Sequence, residues 1–336
     1  MPPQSAGPAS SRSICNGTFN PLSVAVILPC YNEEAAIATV VTDFRKALPD
    51  ARIYVYDNNS KDRTSAVAAA AGAIVRTETL QGKGNVVRRM FADIDADIYL
   101  MCDGDITYDA ASAPALVTKL IDENLDMVVG CRVDQDVAAY RAGHRFGNAL
   151  FTGFVANLFG NRFTDILSGY RAFSRRYVKS FPALSNGFEI ETELTVHALQ
   201  LRMPIGEIDT PYGARVEGST SKLSTYRDGY RIMVMIIKLF KNERPLAFFS
   251  LIFAAFALLS LGLSVPLIVT YVHTGLVPRL PTAVLATSTM LLGFLSMTCG
   301  LILDTVTHGR REIKRLAYLT VSSTGARVER NSQARP

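Results

Sequence analysis

Two uncharged stretches near the carboxyl terminus restrict this chain more than any other feature. Leu246 to Tyr271 runs 26 residues without a charged side chain, and Thr282 to Leu303 runs another 22. Each exceeds the roughly 20 residues needed to cross a bilayer as a helix. Backbone amides in hydrocarbon have no water to bond, so such a stretch must be helical, and Pro266 is tolerable there. Lys238, Lys241 and Arg244 precede the pair, and Arg310, Arg311, Lys314 and Arg315 follow it. The connection, Val272 to Pro281, carries Arg279 as its one fixed charge. The excess of basic residues at both outer ends places those ends in the cytoplasm. The expected organisation is a transmembrane hairpin over 246–305, with a cytoplasmic basic tail over 306–336.

Arg227, Arg231, Lys238 and Lys241 recur at helical spacing among apolar neighbours just before the hairpin. That pattern predicts an amphipathic helix over 224–245 lying at an anionic membrane surface. Residues 1–20 are rich in Pro, Ser, Gly and Ala and lack an apolar run, which predicts a disordered tail and not a signal peptide. Cys15, Cys30, Cys102, Cys131 and Cys299 form no CxxC pair. Three of them end predicted strands, so they are expected as core thiols in a reducing compartment. The net charge of +5 is too mild to indicate a nucleic-acid binder.

Residues 21–223 alternate short apolar runs with helical patterns. Val24–Leu28, Arg52–Tyr56, Ala73–Arg76, Ile98–Cys102 and Asp126–Cys131 predict strands. Helices are predicted to about Leu48, to Ala71, to Ile94 and near Ser112–Glu123, the first with Asn32 as a plausible N-cap. The alternation predicts a mainly parallel three-layer α/β sheet, in which ligands bind at the carboxyl ends of the strands. Asp103-Gly104-Asp105 stands at such an end. Residues i and i+2 of an extended chain face the same side, so both carboxylates can address one point. Gly104 allows close approach of a ligand. Hard oxygen donors of this kind suit Mg²⁺ or Mn²⁺ completed by phosphate oxygens. A dinucleotide-binding fold is excluded, because Gly82-Lys83-Gly84 follows the third strand and lacks the third glycine of the fingerprint.

Four pieces then occur in order: Leu28-Pro29-Cys30-Tyr31-Asn32-Glu33, Asp57 to Thr64, Gly82-Lys83-Gly84 and Asp103-Gly104-Asp105. Together they resemble family 2 glycosyltransferases of the GT-A fold. Gly130-Cys131-Arg132, Thr164 to Arg171, Gly187 to Glu191 and Arg215 to Leu223 resemble its polyprenyl-phosphate branch, which includes dolichol-phosphate mannose synthases and GtrB-like enzymes. The resemblance covers about residues 22–305 and implies a GT-A catalytic domain over 21–223. It departs at Thr107, where many relatives carry Gln, so Thr107 is a weaker metal ligand or none.

The resemblance implies an inverting transfer of a sugar from a nucleotide-diphosphate donor to a membrane polyprenyl phosphate. Pro29, Tyr31, Glu33, Asp57, Lys83, Asp103 and Gly104 are the implied nucleotide-sugar-binding residues, and Asp103 and Asp105 the implied metal ligands. Asp165 and Asp105 are the implied catalytic pair. A lipid phosphate has a second pKa near 6 and is largely deprotonated at neutral pH. It needs cations more than a base, so Arg132, Arg145, Arg171, Arg215 and Lys222 are the acceptor-phosphate candidates. Asp165 is then expected to orient an arginine or the acceptor. UDP-glucose or a UDP-N-acetylhexosamine is the favoured donor, with GDP-mannose as the alternative. A non-catalytic membrane-tethered nucleotide-sugar-binding protein is the reading of another class. The implied location is a membrane, such as a bacterial inner membrane, and a homo-oligomer is compatible with the family.

Overall fold

The computed structural model describes residues 22–134, 153, 164–185, 187, 189–213 and 225–333. Seven strands form one sheet: β1 Val24–Cys30, β2 Arg52–Asp57, β3 Ile74–Thr77, β4 Ile98–Met101, β5 Met127–Asp134, β6 Arg171–Ser174 and β7 Ile205–Tyr212, in the order β3-β2-β1-β4-β6-β5-β7. The four buried residues of β4 and the six of β1 explain why these runs are apolar without alternation, since both faces are covered.

The helices divide between the faces. On one face lie α1 (Ile37–Ala47), α2 (Thr64–Ala70) and α4 (Ala113–Asp122). Ile37, Val40, Val41 and Phe44 of α1 recur at i, i+3, i+4 and i+7 and are all buried. Burying each such side chain contributes about 1.5–3 kcal/mol. The other face takes α3 (Lys83–Asp93), α5 (Arg175–Ser180) and α6 (Ile190–Gln200). Phe91 packs edge-on against Tyr99, Phe173 and Phe181 there, and Phe173 stacks on Tyr177.

The sheet is mainly parallel, as expected, with one strand reversed: β6 runs antiparallel to both β4 and β5, while the remaining pairings are parallel. No period in the sequence distinguishes a buried antiparallel strand from a parallel one. Asn32 is not the cap of α1, which begins at Ile37 without a side-chain cap. Asn32 sits in the left-handed region (φ 56°), which Asn tolerates better than most residues, and accepts from the Lys61 amide at 2.8 Å.

Among the described residues, a second unit comprises residue 153 and residues 225–316. It contains α7 (Thr225–Glu243), α8 (Pro245–Thr274) and most of α9 (Leu280–Leu319). Helices α8 and α9 are long and apolar enough to cross a membrane. They pack through small residues: the Ser260 hydroxyl donates to the Ala286 carbonyl at 2.7 Å, and a Cβ at Gly300 would lie 2.9 Å from Phe249. Their outer surfaces are apolar, with Leu258 71% exposed. The connection is shorter than the sequence suggested, because α8 runs to Thr274 and α9 starts at Leu280.

Residues 317–333 group with the α/β unit, and α10 (Thr324–Gln333) belongs to it. The Tyr318 hydroxyl donates to Asp126, over whose Arg176 partner the Tyr318 ring also lies at 4.4 Å. Arg327 pairs with Asp97 at 2.8 Å, and Val328 packs against the core. Asp97 and Asp126 flank the amino ends of β4 and β5, opposite the carboxyl-end loops. The expected 1–20 tail lies outside the described residues.

Candidate active site

The loops at the carboxyl ends of β1, β2 and β3 are stitched to one another. The Glu33 amide donates to Thr64, the Glu34 amide to Asp62, and the Arg63 amide to Glu34. Glu34 is therefore a brace between loops and not a first-turn charge of α1. Asn58 binds the β3–α3 loop with its whole amide: its nitrogen donates to the Glu78 and Leu80 carbonyls, and its oxygen accepts from the Gly82 amide at 2.7 Å. Gly82 adopts φ 129°, a conformation that side chains disfavour, and this turn aims Lys83 inward. Asp57, 7% exposed, accepts from the Ser60 amide and the Ser65 hydroxyl.

The acidic turn after β4 is tightly held. Ile106 has φ 61°, a strained conformation for a β-branched residue. That turn brings Thr107 back, so its hydroxyl donates to Asp105 Oδ1 at 2.6 Å. Thr107 thus fixes Asp105. Asp103 is wedged between two neighbours. A Cβ on Gly169 would stand 2.6 Å from its Oδ2, and the Lys83 ammonium donates to its Oδ1 at 2.5 Å. Lys83 also donates to Glu191 of α6 at 2.5 Å. Burial pushes the Lys83 pKa down, but the Asp103 and Glu191 carboxylates outweigh it and hold it above the usual lysine range.

The antiparallel β6 matters here. Its amino end pairs with Met101 at the carboxyl end of β4 and with Val129 of β5, so the turn from Thr164 to Tyr170 arrives beside the acidic loop, where Gly169 abuts Asp103. Asp165 in that turn grips Arg132 of β5 with two parallel bonds, 2.7 Å from Nε and 2.8 Å from a terminal nitrogen. Such a bidentate pair fixes the guanidinium plane. Arg132 lies 5.6 Å over the Tyr212 ring. Burial works against ionising Asp165, yet Arg132 prevails and holds its carboxyl below the usual range.

Arg171 corrects an expectation. It is fully buried and binds its own turn: Nε donates to the Ser168 carbonyl, and the terminal nitrogens to the Ile166 carbonyl and the Thr195 hydroxyl. A phosphate cannot reach it. Its sequence neighbourhood suggested an anion site, but its charge holds the Asp165 turn in shape. Arg171→Ala is expected to lose about 2–4 kcal/mol of stability by orphaning buried acceptors, read as a drop in Tm; an acceptor KM rise at unchanged Tm would refute the structural role. Gly169→Ala should displace Asp103 and weaken cation binding without lowering Tm as far, read by metal titration.

Of the sequence-selected residues, Pro29, Tyr31, Glu33, Asp57, Lys83, Asp103, Gly104, Asp105, Arg132 and Asp165 share the loop rim at this end of the sheet. Arg145, Arg215 and Lys222 lie outside the described residues. Glu191 and Tyr212 were not singled out, although Glu191 closes the Gly187–Glu191 segment. Hard oxygen donors at Asp103 and Asp105 suit Mg²⁺ or Mn²⁺. Among the described residues no group of three His, Cys, Asp or Glu could hold a metal by itself. The donor set therefore fits a cation whose remaining ligands are phosphate oxygens and water.

Comparison with known proteins gives a consistent result. The family described as Glycosyl transferase family 2 matches residues 25–181. The chain is 34% identical over 306 residues to glycosyltransferase AglJ of Haloferax volcanii, covering 89% of this chain and 99% of that protein. It is 29% identical over 227 residues to a dolichyl-phosphate hexose transferase of the same organism, covering 68% and 97%. Among solved structures, a glucosyl-3-phosphoglycerate synthase of Mycobacterium tuberculosis with Mn²⁺, UDP and glucosyl-3-phosphoglycerate superposes with TM-score 0.55. It shares 24% identity and covers 66% of this chain and 80% of its own. That likeness identifies the sheet and its helices as a GT-A-like fold.

Proposed function

The chain belongs to glycosyl transferase family 2, and from that premise we propose that it transfers a hexose, with inversion, from a nucleoside-diphosphate sugar to a membrane polyprenyl phosphate. The carrying observation is the Asp165–Arg132 clamp beside the acidic Asp103–Asp105 turn. It sets a fixed cation next to a carboxylate pair, which is what a lipid phosphate attacking a diphosphate-activated sugar requires. The name of the dolichyl-phosphate hexose transferase relative supports the lipid acceptor. The two apolar helices support a membrane location. UDP-glucose or a UDP-N-acetylhexosamine is the preferred donor, and GDP-mannose the alternative.

Asp103 and Asp105 would hold Mg²⁺ or Mn²⁺, which when bound supplies charge stabilisation for the departing nucleoside diphosphate. Pro29, Tyr31, Glu33 and Asp57 line the base and ribose side. Arg132 takes the acceptor phosphate, Tyr212 backs its guanidinium face, and Asp165 keeps it planar to the site. Asp165, held ionised, is a poor proton acceptor at neutral pH, and the lipid phosphate needs none.

The experiment is a panel of labelled nucleotide sugars offered to the full chain in vesicles with a short polyprenyl phosphate. Transfer of one hexose to the lipid supports the reading, and nucleotide binding without transfer from any donor refutes it. Orientation is tested separately in a Cys299→Ser background. Leu276→Cys is expected to label with an impermeant thiol reagent from outside intact cells, and Ser322→Cys only after lysis. The reverse pattern would place the catalytic domain on the other side.

A further inference from the structure

Lys83 stands where two acids meet, with its ammonium 2.5 Å from Asp103 and 2.5 Å from Glu191. Its side chain is 11% exposed and that of Glu191 only 7%. The Asp103 side chain is 31% exposed, but Glu191 is buried and does not tolerate losing its partner, and an ammonium stripped of both acids would be as costly. Asp103 has little freedom to turn away, because Gly169 abuts its other oxygen. Lys83 and a divalent cation would therefore compete for one carboxylate.

We propose that Lys83 is a tethered counter-ion of Asp103, and that Glu191 is the positioning residue that retains the ammonium when a divalent cation takes Asp103. The idea rests on the metal reading above. Its consequence is cooperativity. A cation arriving alone must win Asp103 from Lys83. A cation arriving with a nucleoside diphosphate brings negative charge that both it and Lys83 can share. The site would thus bind metal and donor together and disfavour metal alone, by coupling that must be reciprocal.

The test is Mn²⁺ titration of the full chain in detergent, following free Mn²⁺ by electron paramagnetic resonance, with and without UDP. Lys83→Met is expected to bind Mn²⁺ roughly tenfold tighter than the parent without UDP, because one competing charge is gone. The enhancement of Mn²⁺ affinity by UDP should shrink in that variant. Glu191→Gln is expected to bind Mn²⁺ more weakly, since Lys83 then has Asp103 alone. A plain through-space charge effect would give the same two signs, so the double variant decides. If Glu191 acts through Lys83, Glu191→Gln has no further effect in the Lys83→Met background. Additive effects overturn the positioning role, and unchanged or weaker Mn²⁺ binding by folded Lys83→Met overturns the counter-ion. If Lys83→Met does not fold, Lys83→Gln replaces it in the same double-variant cycle with Glu191→Gln, and the same two outcomes decide. Absence of Mn²⁺ binding by every variant with UDP present would instead sink the metal reading itself.

Discussion

Asp105→Asn is expected to lower kcat by about 10³-fold, the scale of losing a preorganised charge partner for a leaving group. The substitution is nearly isosteric. Asn keeps an oxygen for the Thr107 hydroxyl, which reaches Asp105 at 2.6 Å, so the strained turn at Ile106 should survive. What disappears is one of two negative charges at the strand exit. The measurement is kcat at saturating donor and acceptor, with Tm as the control for folding. Excess EDTA should reduce the parent to a similar residual rate. An Asp105→Asn enzyme within a few-fold of the parent, or full turnover in EDTA, would remove the cation from the chemistry.

Asp165→Asn is expected to cost about 10²-fold, the scale of misplacing a positioned group, at every pH from about 6 to 9. The argument is the sign of the pKa shift. Arg132 holds the Asp165 carboxyl below its ordinary range, so it is ionised across that window and weakly basic. Any stability the pair contributes is present above the ordinary carboxylate pKa, and is lost as pH falls through the depressed one. Asn can keep one bond to Arg132 but not the bidentate charge-assisted pair, so the guanidinium loses its fixed plane. Arg132→Ala should mainly raise the acceptor KM. A general base predicts something different: the loss would be recovered as pH rises and the acceptor becomes fully dianionic. A steep return toward the parent rate above pH 7 would restore that role to Asp165.

Much of this was legible in the residues, for reasons that can be named. Buried central strands read clearly as short apolar runs, so β1, β2, β4 and β5 were found near their positions. The two acids were singled out by the i, i+2 spacing of an extended chain, and the structure puts both just past the end of β4. The expectation that Asp165 would orient an arginine came from phosphate chemistry, and the partner is Arg132. Other features were hidden because they depend on what is far away in sequence. Whether β6 runs antiparallel is decided by its connections, and that direction delivers Asp165 to the site. Arg171 and Arg132 look alike in the chain, yet one is sealed under carbonyls and the other lies at the rim. Lys83 and Glu191 are 108 positions apart, so their pairing has no local signature. The return of Tyr318 and Arg327 to the α/β unit likewise escapes any reading of a basic tail.

The central claim, transfer of a sugar alone onto a lipid phosphate, is tested most directly by what leaves the donor. The full chain in vesicles with a short polyprenyl phosphate would be given UDP-glucose labelled in the sugar, with UDP-N-acetylhexosamine and GDP-mannose in parallel. The organic phase and the released nucleotide would then be quantified together. The account predicts label in the lipid with one nucleoside diphosphate released per hexose, and loss of both in Asp105→Asn. Release of a nucleoside monophosphate, which would mean transfer of a sugar phosphate, or label confined to the aqueous phase with all donors, would contradict it.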